Sequence, residues 1–436
     1  MNTQLTPWGN YPLSKNQKTW SIPNRFSTLP ENTPILPYGQ GRSYGDVCQI
    51  SNGTIVSTTN LNNFIEFDHT NGLITVESGI TIGEILKIAI PKGWFIPVSP
   101  GTKFVSIGGA IGNDVHGKNH HRAGTFGCHV TKLELLRSNG ERLLCSPKQN
   151  AELFNATIGG LGLTGLITWA QIQLKKINNP YIDTETIRIK NLTELLELAR
   201  ESDATHEYTV AWVDTTASGA SIGRGLFMRG NHAPTTAKPV DDVYHKPIAT
   251  MPIFMPNSFI STPLIKAFNW AYYRKQLQHT ASAQQHYDPF FYPLDILQNW
   301  NRLYGKRGFQ SFQCVVPHEQ GQETITQLLK TIQESGLASP LTVVKIFGNV
   351  ASPGLLSFPK PGINLLLDFP NVDPRLNALL KKLDEITATA GGRVNPSKDA
   401  HMSADYFQKF YPNWQEFEKH KDPAFTSDFW NRVTKS

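Results

Sequence analysis

Three glycine clusters constrain this chain more than any other feature: "GQGRSYGD" at 39–46, "PGTKFVSIGGAIGNDVHG" at 100–117 and "GGLGLTG" at 159–165. Each lies beside a strand candidate, and glycine lets backbone approach a neighbour that a side chain would hold off. Gly39 and Gly41 supply the first half of a GxGxxG fingerprint, but Tyr44 occupies its third position. The following residues read as a further extended segment, whereas that fingerprint needs a helix to begin there, so a Rossmann site is not expected. Two readings of the first loop remain: a nest of inward-turned N–H groups that cups a phosphate, or a pair of tight turns. Three such clusters within about 130 residues suggest backbone approaching one long phosphate-bearing ligand at several points.

The 436 residues exceed the size at which one core keeps growing, so two domains are expected. The net charge of +6 is scattered along the chain. No basic block marks a nucleic-acid partner, and the excess suits an anionic ligand or a membrane surface. Cys48, Cys128, Cys145 and Cys314 show no metal or CxxC spacing and read as free thiols of a reducing compartment. The first residues lack a basic start followed by an apolar run, and no apolar window reaches the length of a membrane span. A cytoplasmic protein is expected, peripheral to the inner face of the membrane if it meets one.

Residues 33–57 read as extended segments around the first loop. "FIEFDHTNGLITVESG" and "HVTKLELLRSNGERLLCS" read as hairpins turning at Asn71-Gly72 and Asn139-Gly140. "TIGEILKIAIPKG" predicts a helix entered at Thr81, and "AELFNAT" a short helix before the strand "LITWAQIQL". Beyond Pro180 the strand candidates "YTVAWVDTT", "FQSFQCVVP", "LTVVKIFG" and "GINLLLDFP" mix with two long helices, which suits an antiparallel sheet backed by helices. Residues 231–290, heavy in Pro, Met and aromatics, read as neither regular strand nor buried helix but as a mobile lid, with loop-plus-helix packing the alternative. Phe290 and Phe291 could floor a sugar pocket or fill a core. Tyr273, Arg274 and Lys275 could border the lid or form a solvated helix face.

The run "HGKNHH" at 116–121 is the most unusual. His116 and His120 have the i,i+4 spacing of zinc ligands on a helix, but Gly112, Gly117 and Gly124 oppose a helix and no carboxylate or thiolate completes a site. Surface histidines are a second reading. A pocket wall is the third, with Asn119, His120 and His121 tying the loop down by hydrogen bonds.

Taken together, "GQGRSYGD", "PGTKFVSIGGAIGNDVHGKNHH" and "GGLGLTG" resemble the FAD-binding (PCMH-type) domain of the vanillyl-alcohol oxidase-like flavoproteins. The likeness continues through "AWVD", "PLDILQNWNRLYG", "KIFG", "LSFPKPGINLLLDFP" and "SKDA". It covers nearly the whole chain and is strongest to the decaprenylphosphoryl-β-D-ribose 2'-oxidase family; sugar-lactone and alditol oxidases are more distant. It implies an α+β fold: a two-lobed FAD-binding domain over 1–179, completed by 393–436, and a substrate domain over 180–392 of antiparallel sheet flanked by helices.

The resemblance implies non-covalent FAD, because Ser43 and Tyr44 stand where many relatives attach the flavin through a histidine. The first loop, from Tyr38 through Gly39, Gln40, Gly41, Arg42, Ser43, Tyr44, Gly45 and Asp46 to Val47, would wrap the diphosphate. The second would contribute Gly101, Ser106, Ile107, Gly108, Gly109, Asn113, Asp114, Val115 and His116, and the third Ile167 on its outgoing strand. A contact that is usually tyrosine in the family falls on Asn395. Lys118, Gln313, Lys345 and Asn364 would bind substrate, and Lys398 with His116 would be catalytic. Mycobacterial members carry a cysteine where this chain has Leu366.

The activity implied is oxidation of the 2'-hydroxyl of a polyprenylphosphoryl-β-D-ribose to the ketone, the first half of an epimerisation to the arabinose sugar. An NADH-dependent short-chain reductase would be the partner for the second half. Alternatives are an aldonolactone or alditol oxidase acting on a free sugar, and a flavin-binding subunit without turnover. A lysine beside the flavin could accept the hydroxyl proton, since burial and neighbouring cations lower its pKa.

Overall fold

The computed structural model describes residues 5–236 and 247–434. Strands Lys18–Ser21, Thr54–Ser57 and Ile35–Tyr38 form a parallel sheet with Thr54–Ser57 in the middle. That middle strand is buried throughout, so it reads as a run rather than an alternation. A five-stranded antiparallel sheet follows, in the order Phe64–Asp68, Leu73–Glu77, Leu166–Gln173, Val130–Leu136, Arg142–Cys145. Its hairpins turn at Gly72 (φ 71°) and Gly140 (φ 84°), left-handed positions that favour glycine. Helix Ile82–Ala89 starts where expected, because Thr81 and Glu84 form a reciprocal capping box.

The second half of the chain builds an eight-stranded sheet in which every pairing is antiparallel. Its order is Thr280–His286, Tyr181–Ile189, Gly225–His232, Tyr208–Val213, Thr342–Phe347, Gly362–Pro370, Phe309–Val316, Arg393–Val394. Strand alternation decides which side chains meet the site. Phe312, Cys314, Val344, Ile363, Leu365 and Leu367 point into a core shared with helices Leu192–Ser202, His318–Ser335 and Leu376–Thr389. Their neighbours Gln313, Val343, Lys345, Asn364 and Leu366 line a cavity on the opposite face.

Two sequence expectations need correction. The stretch 231–290 is not devoid of regular structure: it holds the end of strand Gly225–His232, helix Thr262–Arg274, edge strand Thr280–His286 and helix Tyr287–Phe291. The edge strand "TASAQQH" is mostly exposed and has no apolar alternation to betray it. Residues 237–246 of this stretch lie outside the described residues. The second glycine cluster is also not all turn. Ile107–Gly112 is helical despite three glycines, because Ser106 caps it through the Gly109 N–H and Ile107, Ala110 and Ile111 are buried. Among the described residues no helix is long and apolar enough to cross a membrane, and all four cysteines are free.

Candidate active site

A cavity of about 1100 Å³ lies between the first two sheets and the face of the third. It exceeds the roughly 300–1,000 Å³ of ordinary ligand pockets, which leaves room for a large cofactor together with a substrate. Its lining brings together residues 38–44, Val47, Gly101, Ser106, Gly108, Gly109, residues 113–116, Lys118, Ile167, Gln313, Lys345, Asn364, Asn395 and Lys398. Three expected cofactor contacts lie outside it. Ile107 is a core residue, and Asp46 is buried against the Arg432 guanidinium at 2.8 and 2.9 Å. A Cβ on Gly45 would stand 1.7 Å from the Asp399 carbonyl oxygen, so glycine there serves close packing behind the loop.

At one end of the cavity the backbone amides of Gly39, Gln40, Gly41, Arg42 and Ser43 donate to no protein acceptor among the described residues. Unpaired buried amides are costly, and a row of them in one loop is a ready anion cradle. Gly41 turns the row through φ 62°. A Cβ on Gly39 would fall 2.1 Å from Ser106 Oγ, which shows how closely the first loop packs on the second. Arg42 stacks over Trp8 at 4.1 Å, and its buried Nε has no partner. Buried Asn113 Oδ1 is likewise unpaired, while its Nδ2 donates to Gly109 O at 2.8 Å. These donors fit the diphosphate of FAD. Asp114 does not face it freely: Ser352, Ser357 and the Gly127 N–H all donate to its carboxylate, and it anchors the loop.

Amides gather at the other end. Gln313 Nε2 donates to Asn364 Oδ1 at 2.7 Å and to His116 Nε2 at 2.8 Å, while Asn395 Nδ2 donates to Gln313 Oε1 at 2.9 Å. This network assigns the His116 proton to Nδ1. Burial holds His116 well below its ordinary pKa, helped by Lys345, His120 and Lys398, so the ring is neutral. Asn395, where relatives carry tyrosine, therefore has a defined task here: it orients Gln313 and caps the short turn Pro396–Lys398.

Three half-buried lysines face this network. Burial lowers Lys118 to about 8, and burial with the neighbouring Lys118 and Lys398 lowers Lys345 to about 7. Neither forms an ion pair among the described residues; Lys118 Nζ donates to Phe291 O at 3.3 Å and lies over the Phe290 and Phe291 rings. Lys398 Nζ sits 3.0 Å from the Tyr44 ring centroid, and Tyr44 N donates to Ser397 O at 2.9 Å, joining the first loop to the turn. Burial also depresses Lys398, opposed by Asp368. Sequence reasoning overlooked Asp368, although alternation in "GINLLLDFP" sets Asn364, Leu366 and Asp368 on one strand face. Burial raises its carboxyl, and Lys398 and Ser311 oppose the rise.

The histidine loop divides its work. His121 Nε2 pairs with His206 O at 3.0 Å, and Asn119 Nδ2 donates to Pro97 O at 2.9 Å, as expected of residues that tie the loop down. His120 departs from that expectation: it packs on Phe347 at 4.4 Å, and both ring nitrogens are buried without a partner. Among the described residues no three His, Cys, Asp or Glu side chains are placed to hold a metal ion.

Residues 28–146 match the family described as "FAD binding domain". Over 412 residues the chain is 35% identical to decaprenylphosphoryl-beta-D-ribose oxidase of Mycolicibacterium smegmatis, covering 92% of this chain and 89% of that protein. It is 33% identical over 372 residues to an uncharacterized protein of Streptomyces coelicolor, covering 81% of this chain and the whole of that protein. A putative D-arabinono-1,4-lactone oxidase of Neurospora crassa is 34% identical over 134 residues, 31% of this chain and 24% of that protein. An unpaired amide row, a cavity of cofactor size and likeness over almost the full length agree: the chain belongs to the family of FAD-binding oxidoreductases that contains decaprenylphosphoryl-β-D-ribose oxidase, and it is an FAD-dependent oxidoreductase acting on CH–OH groups.

Proposed function

We propose that the chain oxidises the 2'-hydroxyl of a polyprenylphosphoryl-β-D-ribose to the 2'-ketone, and that a separate NADH-dependent reductase completes epimerisation to the arabinose sugar. The observation that carries this reading is the convergence of Lys118, Lys345 and Lys398 on the neutral Gln313, Asn364 and Asn395 amides at one end of the cavity. Cations of depressed pKa suit a phosphate-bearing sugar, because an arriving anion restores their charge. Carboxamides suit hydroxyl groups.

FAD, when bound, supplies the hydride acceptor. Gly39 to Ser43 would hold its diphosphate through their free amides, without a covalent link at Ser43 or Tyr44. Gln313 and Asn364 orient the sugar hydroxyls, and neutral His116 completes the wall. Lys398 Nζ, depressed by burial, accepts the hydroxyl proton as the carbinol carbon is oxidised, and Asp368 then stabilises the resulting ammonium. Lys118 and Lys345 take the sugar phosphate.

In the same reading, the parallel and five-stranded sheets are the two lobes of an FAD domain over 1–179 completed by 393–436, and 180–392 form the substrate domain. Anaerobic addition of a ribosyl prenyl phosphate to flavin-loaded protein should bleach the oxidised flavin bands. Bands that persist under that addition would remove the proposed reaction.

A further inference from the structure

Eight of the fourteen large apolar side chains exposed among the described residues fall between 248 and 296. They gather where the cavity opens. Leu264, Phe268 and Ile296 are each part-exposed and also line it, and Ile248 N donates to Ile296 O at 2.9 Å, which places the 80%-exposed Ile248 beside the same rim. Helix Thr262–Arg274 carries two stripes. Leu264, Phe268 and Tyr272, four residues apart, face the cavity mouth. Lys266, Trp270 and Arg274 share the next face, where the Arg274 guanidinium lies 4.5 Å from the Trp270 ring. Leu277, just past the helix, is 88% exposed and Trp270 56%.

Charge on this segment has one sign. From Pro247 to Tyr287 there is no Asp or Glu, while Lys266, Arg274 and Lys275 are exposed. An apolar rim with a tryptophan and basic residues, on a helix too short to span a bilayer, has the composition of an element that lies in a lipid interface. We propose that residues 248–296 dock the enzyme on an anionic bilayer, so that the prenyl tail of a lipid-linked substrate passes from the membrane into the cavity between Leu264, Phe268 and Ile296. This rests on the lipid-linked substrate proposed above, and it adds the surface, its orientation and the lipid charge.

The test is co-flotation of the flavin-loaded enzyme with phosphatidylglycerol–phosphatidylcholine vesicles and with pure phosphatidylcholine vesicles. Binding should be at least about tenfold tighter to the anionic vesicles and should weaken with salt. The double variants Trp270→Ser with Leu277→Ser, and Lys266→Glu with Arg274→Glu, should each lose about tenfold or more. Both should reduce their flavin with soluble farnesylphosphoryl-β-D-ribose as the wild type does, which reports an intact fold and site. No vesicle binding, equal binding to neutral vesicles, or variants that bind like wild type would overturn the proposal. So would a wild-type self-association that the variants abolish in the absence of vesicle binding, since a second copy would then cover this face. Vesicle binding by an enzyme that no ribosyl prenyl phosphate reduces would uphold the docking and remove only the proposed reaction.

Discussion

Replacing Lys345 by Met separates what the lysine does for the ligand from what it costs the fold. Its ammonium is depressed from 10.5 to about 7 by burial and by the neighbouring lysines. At about 1.4 kcal/mol per unit, a dry site would make this about 5 kcal/mol of destabilisation near neutral pH. The side chain faces a cavity that admits water, so a screened cost of about 1–3 kcal/mol is the working figure. Between pH 7 and 10.5 the unfolded chain holds a proton at this position that the folded chain has released, so wild-type stability rises with pH across that window. Lys345→Met removes the proton and the cost together. In substrate-free, flavin-loaded protein the variant should therefore melt higher at pH 6, by roughly 2–5 °C, and the gain should vanish by pH 10. It should also bind the sugar phosphate at least about tenfold more weakly, the loss of one buried charge contact. A variant less stable than wild type at pH 6, or a gain unchanged at pH 10, would refute the reasoning.

Lys398→Ala should slow anaerobic flavin reduction by about 10²–10⁴-fold while FAD remains bound, because it removes the proton acceptor and not the cradle; stopped-flow absorbance measures both. Asp368→Asn should shift the pH profile of reduction to lower pH, since the carboxylate favours the protonated form of Lys398 and its loss lowers that pKa further. Gly39→Val should abolish FAD loading, because even a Cβ there would meet Ser106 Oγ at 2.1 Å; flavin content per folded protein reports it.

The parts legible in the sequence were those with a local signature. Both hairpins show their Asn-Gly turns, and the Thr81 helix shows its capping box. The cavity wall from Gln313 to Leu366 follows strand alternation once the sheet is known. Other parts carry no such mark. The strand Tyr181–Ile189 was not anticipated: "YIDTETIRI" puts polar Thr184 and Thr186 among its buried and half-buried positions, which blurs the period. Edge strand Thr280–His286 pairs only with it and packs few apolar groups. Asp368 was hidden for another reason. A carboxylate at a strand end reads as solvated until the turn at 396–398 brings Lys398 across the chain to meet it. Gly45, Asp46 and Ile107 lie within the right motifs yet face away from the cavity. A motif identifies a loop, whereas the path of its backbone decides which side chains point inward.

The absorption spectrum of the purified protein, taken before and after acid precipitation, addresses the grip of the first loop on FAD most directly. Oxidised flavin bands should be present in the native protein, and all the yellow should remain in the supernatant once the protein is precipitated. Folded, colourless protein that takes up no FAD on titration would contradict the assignment of the free amides of Gly39 to Ser43, and flavin that stays with the pellet would contradict a non-covalent hold.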